Sequence, residues 1–191
     1  MQETQKPTRL WNRNSSLLLE GQFVSSIGKQ AFSVAAMLWL KELTQSGTLM
    51  GMVMTVALLP MVVLGPIAGV FVDRWNRRRL IAWTDIAGGL FVLAAAFFFI
   101  LPFESSLRIG IIFCVTILTG LLDTFSQPAI GASIPDLVPQ KRLEAANSLS
   151  MAGMHVAMFV AQGLAGILFV TFGMPVLVLV NAAAYLVSGT S

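Results

Sequence analysis

A chain of 191 residues that is 56% hydrophobic and 11% charged, with a mean hydropathy of +0.80, excludes an ordinary soluble domain, which carries about twice that share of charge. The net charge of +3 does not point to nucleic acid as a partner, because the basic residues fall in short stretches between apolar runs. The single cysteine, Cys114, excludes an internal disulfide.

Residues 1–15 are polar and basic and read as a cytoplasmic N-terminal segment. The apolar run that follows has no small-residue cleavage site, so it reads as a retained first span. Six spans are predicted, at about 16–40, 49–72, 80–101, 107–127, 143–172 and 174–191. Each approaches or exceeds the roughly 20 residues that cross a bilayer core. Lipid cannot satisfy an open backbone, and the runs are too long and too unalternating for barrel strands, so all six are expected to be helices. The predicted fold class is an all-α integral membrane protein whose first partner is the lipid bilayer. The sixth span is the shortest and no polar tail follows it, which reads as a chain that continues.

Orientation follows from the loops. Lys6, Arg9, Arg13, Arg74, Arg77, Arg78, Arg79, Lys141 and Arg142 lie on the N-terminal side, against Lys41 and Arg108 on the other. The positive-inside rule then places the N-terminus in the cytoplasm. Trp11, Trp39, Trp75 and Trp83 fall near the expected interfaces.

Ionisable groups inside lipid are costly, so each is a functional candidate. In the first span Gln22, Ser26, Lys29 and Ser33 step by four, three and four, which places them on one helix face. Lys29 lies roughly 22 Å along its helix, near mid-membrane. The stripe reads as a wall of a watery cavity, or Lys29 pairs with a buried acid for structure alone. The fourth span carries Thr116, Thr119, Asp123 and Gln127 in the same manner, with Ser126 beside them. Asp123 is a candidate proton or cation site, or a structural acid. An ion pair with Lys29 is possible but not implied, because the two residues are expected at different depths. The fifth span carries Asn147, Met151, Met154, Met158 and Gln162 at helical spacing. Methionine suits a pocket for varied apolar shapes and ordinary packing equally. His155, the single histidine, is a candidate for proton transfer or a packing residue. Glu20 and Asp85 lie near span ends and are expected to reach the interface beside the basic loops.

Gly65 with Gly69, and Ala157, Ala161 and Ala165, form small-residue pairs of the kind that marks close helix contacts. Pro60 and Pro66 are expected to loosen the second span. No metal-ligand cluster, phosphate loop or Ser/His/Asp arrangement stands out, so an enzyme is not expected. No cofactor or metal is expected either, and coupling to protons or another ion is left open.

The stretch Gly69-Val-Phe-Val-Asp73-Arg74-Trp75-Asn76-Arg77-Arg78 resembles the loop motif G-x-x-x-D-R-x-G-R-R/K of the major facilitator superfamily. It matches at Gly69, Asp73, Arg74, Arg77 and Arg78, in the loop between the second and third spans. Asn76 replaces the usual glycine, and asparagine tolerates a left-handed backbone, so the same turn is expected. Gln127-Pro128-Ala129, Pro135-Asp136-Leu137-Val138-Pro139 and Leu143-Glu-Ala-Ala-Asn147-Ser-Leu149 are similar to the connection between spans four and five in the macrolide- and siderophore-exporter-like branch.

The resemblance implies the first six helices of a twelve-helix transporter, built as an inverted three-plus-three repeat. It implies an efflux permease for a small amphipathic solute, working by alternating access. It also implies that Asp73 meets a helix end of a second six-helix half, absent from this chain, while the arginines brace the cytoplasmic face. Two features depart from the drug/proton antiporter pattern. Arg108 lies at the outer edge of the fourth span, and Ala161-Gln162-Gly163-Leu164-Ala165-Gly166 stands where G-P-x-x-A-G is usual. The alternative is a non-transporting polytopic scaffold or assembly subunit.

Overall fold

The computed structural model describes residues 13–138 and 140–189, with side chains from residue 20 onward except those of 136 and 137. Residues 1–12 of the expected cytoplasmic segment, with Trp11, lie outside the described residues. In order, the elements are α1 (Arg13–Thr44), α2 (Gly47–Val72), α3 (Arg77–Ile100), α4 (Ser105–Leu137), a 3-10 turn (Gln140–Arg142) and α5 (Leu143–Gly189). There is no strand among the described residues. Among the described residues, five helices are long and apolar enough to cross a membrane.

The first three helices fall close to the predicted spans. The fourth does not stop at Gln127 but runs on to Leu137 through Pro128 and Pro135. Membrane helices tolerate such prolines when side chains and neighbouring helices take up the freed backbone groups. Here the Arg77 guanidinium donates to the Ala132 carbonyl at 2.9 Å, beside the Gly131 carbonyl that Pro135 leaves without its helical donor.

The predicted fifth and sixth spans form one helical run, Leu143–Gly189, broken at Gly173, whose φ of 73° and ψ of −178° lie outside helical geometry. The break is a reversal. Ser150 donates to Gln22 of α1, while Asn181 and Ala184 press on Gly28 of the same helix. Gln22 and Gly28 are roughly 9 Å apart along α1, whereas a straight helix would carry Ser150 and Ala184 roughly 51 Å apart. The second arm must therefore double back along the first. Only glycine readily holds this φ/ψ combination, and Pro175 sits in the opening turn of the second arm, where its missing N–H costs nothing.

The core is built on small side chains. Ala35 and Ala36 of α1 and Ala161 and Ala165 of α5 are fully buried, packed with Leu40, Val92, Ile112, Leu177 and Val178. Alanine lets helix axes approach closely, which compensates for the weak hydrophobic drive between helices in lipid. Ala157 is also fully buried, so the expected alanine seam of α5 is a packing seam. The expected glycine pair of α2 is not: a Cβ at Gly65 or Gly69 would meet nothing within 4 Å. Instead α2 meets α4 at Gly120, where a Cβ would lie 2.7 Å from the Ala57 carbonyl oxygen. The outer surface is apolar, with Val62 76% and Val170 81% exposed, as suits lipid and not water.

The loop from Asp73 to Asn76 also differs from expectation. Asn76 is not left-handed; its φ of −69° and ψ of 106° are extended, and its side-chain oxygen accepts from the Arg79 N–H at 3.1 Å. Asparagine stands there as the N-cap of α3, using its side chain where glycine has none.

Candidate functional site: an ion cluster between four helix segments

Lys29 of α1 sits midway along its helix. Its ammonium is held by Asp123 of α4, with Nζ 2.6 Å from Oδ1. A second carboxylate, Asp85 of α3, lies 3.8 Å from the same nitrogen. The Tyr185 ring of α5 lies beneath it, with Nζ 4.8 Å from the ring centroid, within cation–π range. Ser188, one turn beyond Tyr185, donates to Asp85 Oδ2 at 2.5 Å. One lysine thus joins two carboxylates, an aromatic face and a hydroxyl from four helix segments.

The local sequence explains how these groups meet. Gly88 and Gly89 open the surface of α3 one turn beyond Asp85, and a Cβ on Gly88 would lie 2.7 Å from the Tyr185 ring. That gap lets the second arm of α5 approach closely, which brings Ser188 to Asp85. Gly28 does the same on α1, where a Cβ would lie 2.5 Å from that of Ala184. The glycines therefore set the spacing that the polar groups need.

One open reading is decided and one expectation changes. Lys29 and Asp123 are paired, because α4 extends ten residues past Gln127 and Asp123 falls near the middle of a 33-residue helix, not near its inner end. Asp85 does not reach an interface. It is 5% exposed and turned inward to Lys29 and Ser188. Depth counted from the start of an apolar run placed it too shallow, since α3 begins three residues earlier, at Arg77. The adjoining glycines Gly88 and Gly89 were the available signal that this face of α3 is a contact and not a surface.

The remaining candidates fall in three places. Gln22 is buried and accepts from Ser150 at 3.4 Å, while Ser26 is half-buried on the Lys29 side of α1. The Thr119 hydroxyl donates to its own helix at Val115, and Gln127 is exposed. Met154, His155 and Met158 are exposed, turned away from the Ala157–Ala161–Ala165 seam, and the structure does not bring them to Lys29. In the loop, the Asp73 N–H donates to the Gly69 carbonyl at 3.2 Å and Asp73 lies 3.9 Å from Arg77. The Asp73 side chain is 74% exposed, and Arg74 and Arg78 are exposed beside it.

The arrangement of apolar helices around an inward-facing charge cluster, with a charged loop after α2, defines a polytopic membrane protein. Residues 18–190 match the family model described as Major Facilitator Superfamily, and the chain belongs to that superfamily. It is 26% identical over 159 residues to Macrolide efflux protein A of Streptococcus pyogenes, covering 83% of this chain and 38% of that protein. It is 24% identical over 188 residues to the uncharacterized MFS-type transporter YfiS of Bacillus subtilis, covering 96% and 42%. Multidrug resistance protein 1 of Bacillus subtilis matches at 25% over 157 residues, covering 82% and 38%. The chain thus spans about two fifths of the length of these curated relatives.

Proposed function

We propose that the chain forms six membrane crossings with a cytoplasmic N-terminus, as one half of an efflux permease that works by alternating access in a bacterial plasma membrane. The observation that carries the reading is the Lys29–Asp123 pair with Asp85 beside it, a charge cluster inside a bundle whose exterior is apolar. Ionisable groups so placed in lipid are retained for solute or ion pathways. The reversal at Gly173 supports six crossings, and the excess of basic residues in the loops beside Arg77 and Arg142 supports the orientation. Efflux in the name of the Streptococcus pyogenes relative supports the direction of transport. A small amphipathic solute fits a cavity wall that combines Lys29, Asp123, Thr119 and Gln22 with apolar neighbours. A second six-helix half would supply the other wall and the partner for the exposed Asp73 carboxylate. Met154, His155 and Met158, on the outward face of α5, belong to that contact or to the lipid.

The test is efflux of a lipophilic cationic dye from cells expressing the full-length protein. Lys29→Ala and Asp123→Asn are each expected to reduce efflux at least tenfold while the protein still inserts in the membrane. Undiminished efflux in both variants overturns the cavity assignment, and no efflux by the unaltered protein overturns the transporter reading in favour of a scaffold.

A further inference from the structure

We infer that Lys29 is a switching cation shared between two acids, and that Asp85 is the group that takes up a proton when Lys29 binds Asp123. The inference rests on the transporter reading only for its use, not for its chemistry.

Three ionised groups, one lysine and two aspartates, leave a net charge of −1 between helices. An isolated buried charge is too costly to stand uncompensated, so such a site neutralises by taking up a cation. The geometry assigns the two acids different roles. Lys29 is committed to Asp123 at 2.6 Å and only approaches Asp85 at 3.8 Å. The side chain of Asp123 is 33% exposed and that of Asp85 7%. The more buried acid, with the weaker hold on the lysine, is therefore the one that carries the compensating charge.

The partners of Asp85 favour a proton over a metal ion. A hard cation needs a shell of several oxygens. Among the described residues, Asp85 is faced by the Lys29 ammonium from α1, the Asp123 carboxylate from α4, and the Ser188 hydroxyl from α5 beside the Tyr185 ring. Ser188 suits both protonation states: its hydroxyl donates to a carboxylate and accepts from a carboxylic acid. Two further buried hydroxyls, Ser25 and Ser126, lie one turn from Lys29 and from Asp123, both toward the end of the bundle where α1 begins and α4 ends. Neither has a hydrogen-bond partner among the described residues. Buried polar atoms of this kind are commonly met by water, which would connect the cluster to that end.

The cycle balances simply. Water delivers a proton to the Asp85 carboxylate, giving the neutral acid, and Lys29 stays with Asp123. Loss of the proton to water restores the carboxylate and draws Lys29 toward Asp85. Asp123, the more exposed acid, is then freed to meet a cationic group of a solute. Asp85 acts here through Lys29 and is a positioning residue, not a solute-binding one.

Infrared difference spectroscopy of the purified full-length protein, between acidic and alkaline buffer, reads the protonated carboxyl directly. The expected carboxylic-acid band is lost in Asp85→Asn, shifts in frequency in Asp85→Glu, and keeps its frequency in Asp123→Glu. It is unchanged when sodium replaces choline in the buffer. A band that survives Asp85→Asn, that moves with Asp123→Glu, or that sodium abolishes overturns the proposal. The conservative glutamate variants guard against misfolding as the cause. Because the band is read without solute flux, a protein that shows it and fails to export sinks the transporter reading alone.

Discussion

Lys29 and Asp123, 94 positions apart in the chain, meet at 2.6 Å in the middle of the bundle and tie α1 to α4. Removing one partner of a buried pair leaves the other charge uncompensated, at a cost of about 3–5 kcal/mol. Lys29→Met also leaves Asp85 facing Asp123, so about 3 kcal/mol is expected even with Asp123 one-third exposed. The triple variant Lys29→Met, Asp85→Asn, Asp123→Asn removes all three charges and is expected to recover most of that loss. Thermal unfolding in detergent of the two variants, against the unaltered protein, checks the order.

The glycines of α2 and α4 make opposite predictions. Gly120→Ala would drive a methyl to 2.7 Å from a backbone oxygen of α2 that cannot swing aside. Overpacking of this kind costs about 1–3 kcal/mol. Gly65→Ala meets open space, and alanine is the better helix former by about 1 kcal/mol. The midpoint of thermal unfolding should therefore fall for Gly120→Ala and hold or rise for Gly65→Ala. Equal effects would mean that α2 does not pack on α4 as described.

Asn76 offers a test of the loop. Asn76→Ala removes the side-chain oxygen that caps α3 and is expected to cost about 1 kcal/mol. Asn76→Asp keeps the cap, and Asn76→Gly loses only a few tenths. The three unfolding midpoints should fall in the order Asp, Gly, Ala. A glycine variant more stable than the unaltered chain would restore the left-handed turn that the resemblance suggested.

Gly173→Ala places a Cβ on a backbone with φ of 73°, and the strain is about 1–3 kcal/mol. The reversal also fixes topology. In a Cys114→Ala background, cysteines placed at Gly173 and at Gln45 should react with a membrane-impermeant thiol reagent from one side, and cysteines at Asn76 and Lys141 from the other. Labelling of Gly173→Cys from the same side as Lys141→Cys would overturn the sixth crossing.

The helices were legible because lipid demands long apolar runs, and so were Lys29 and Asp123, whose charges stand out within such runs. Their pairing was not, because it depends on the ten residues by which α4 outruns Gln127, and Pro128 resembles a stop. Asp85 escaped for a related reason: a charge near the start of a run reads as interfacial, and Gly88 and Gly89 signal a contact face without saying that α5 is what covers it. Gly65 and Gly69 misled in the other direction. Small-residue spacing marks a face that permits close approach without saying which helix uses it.

Tyr185 is the single tyrosine of the chain, and its ring is the one that lies under Lys29. A ring-fluorinated tyrosine at this position would thus place a magnetic reporter at the centre of the cluster, with no charged group altered. The position of a lysine that is itself spectroscopically silent becomes a single resonance line.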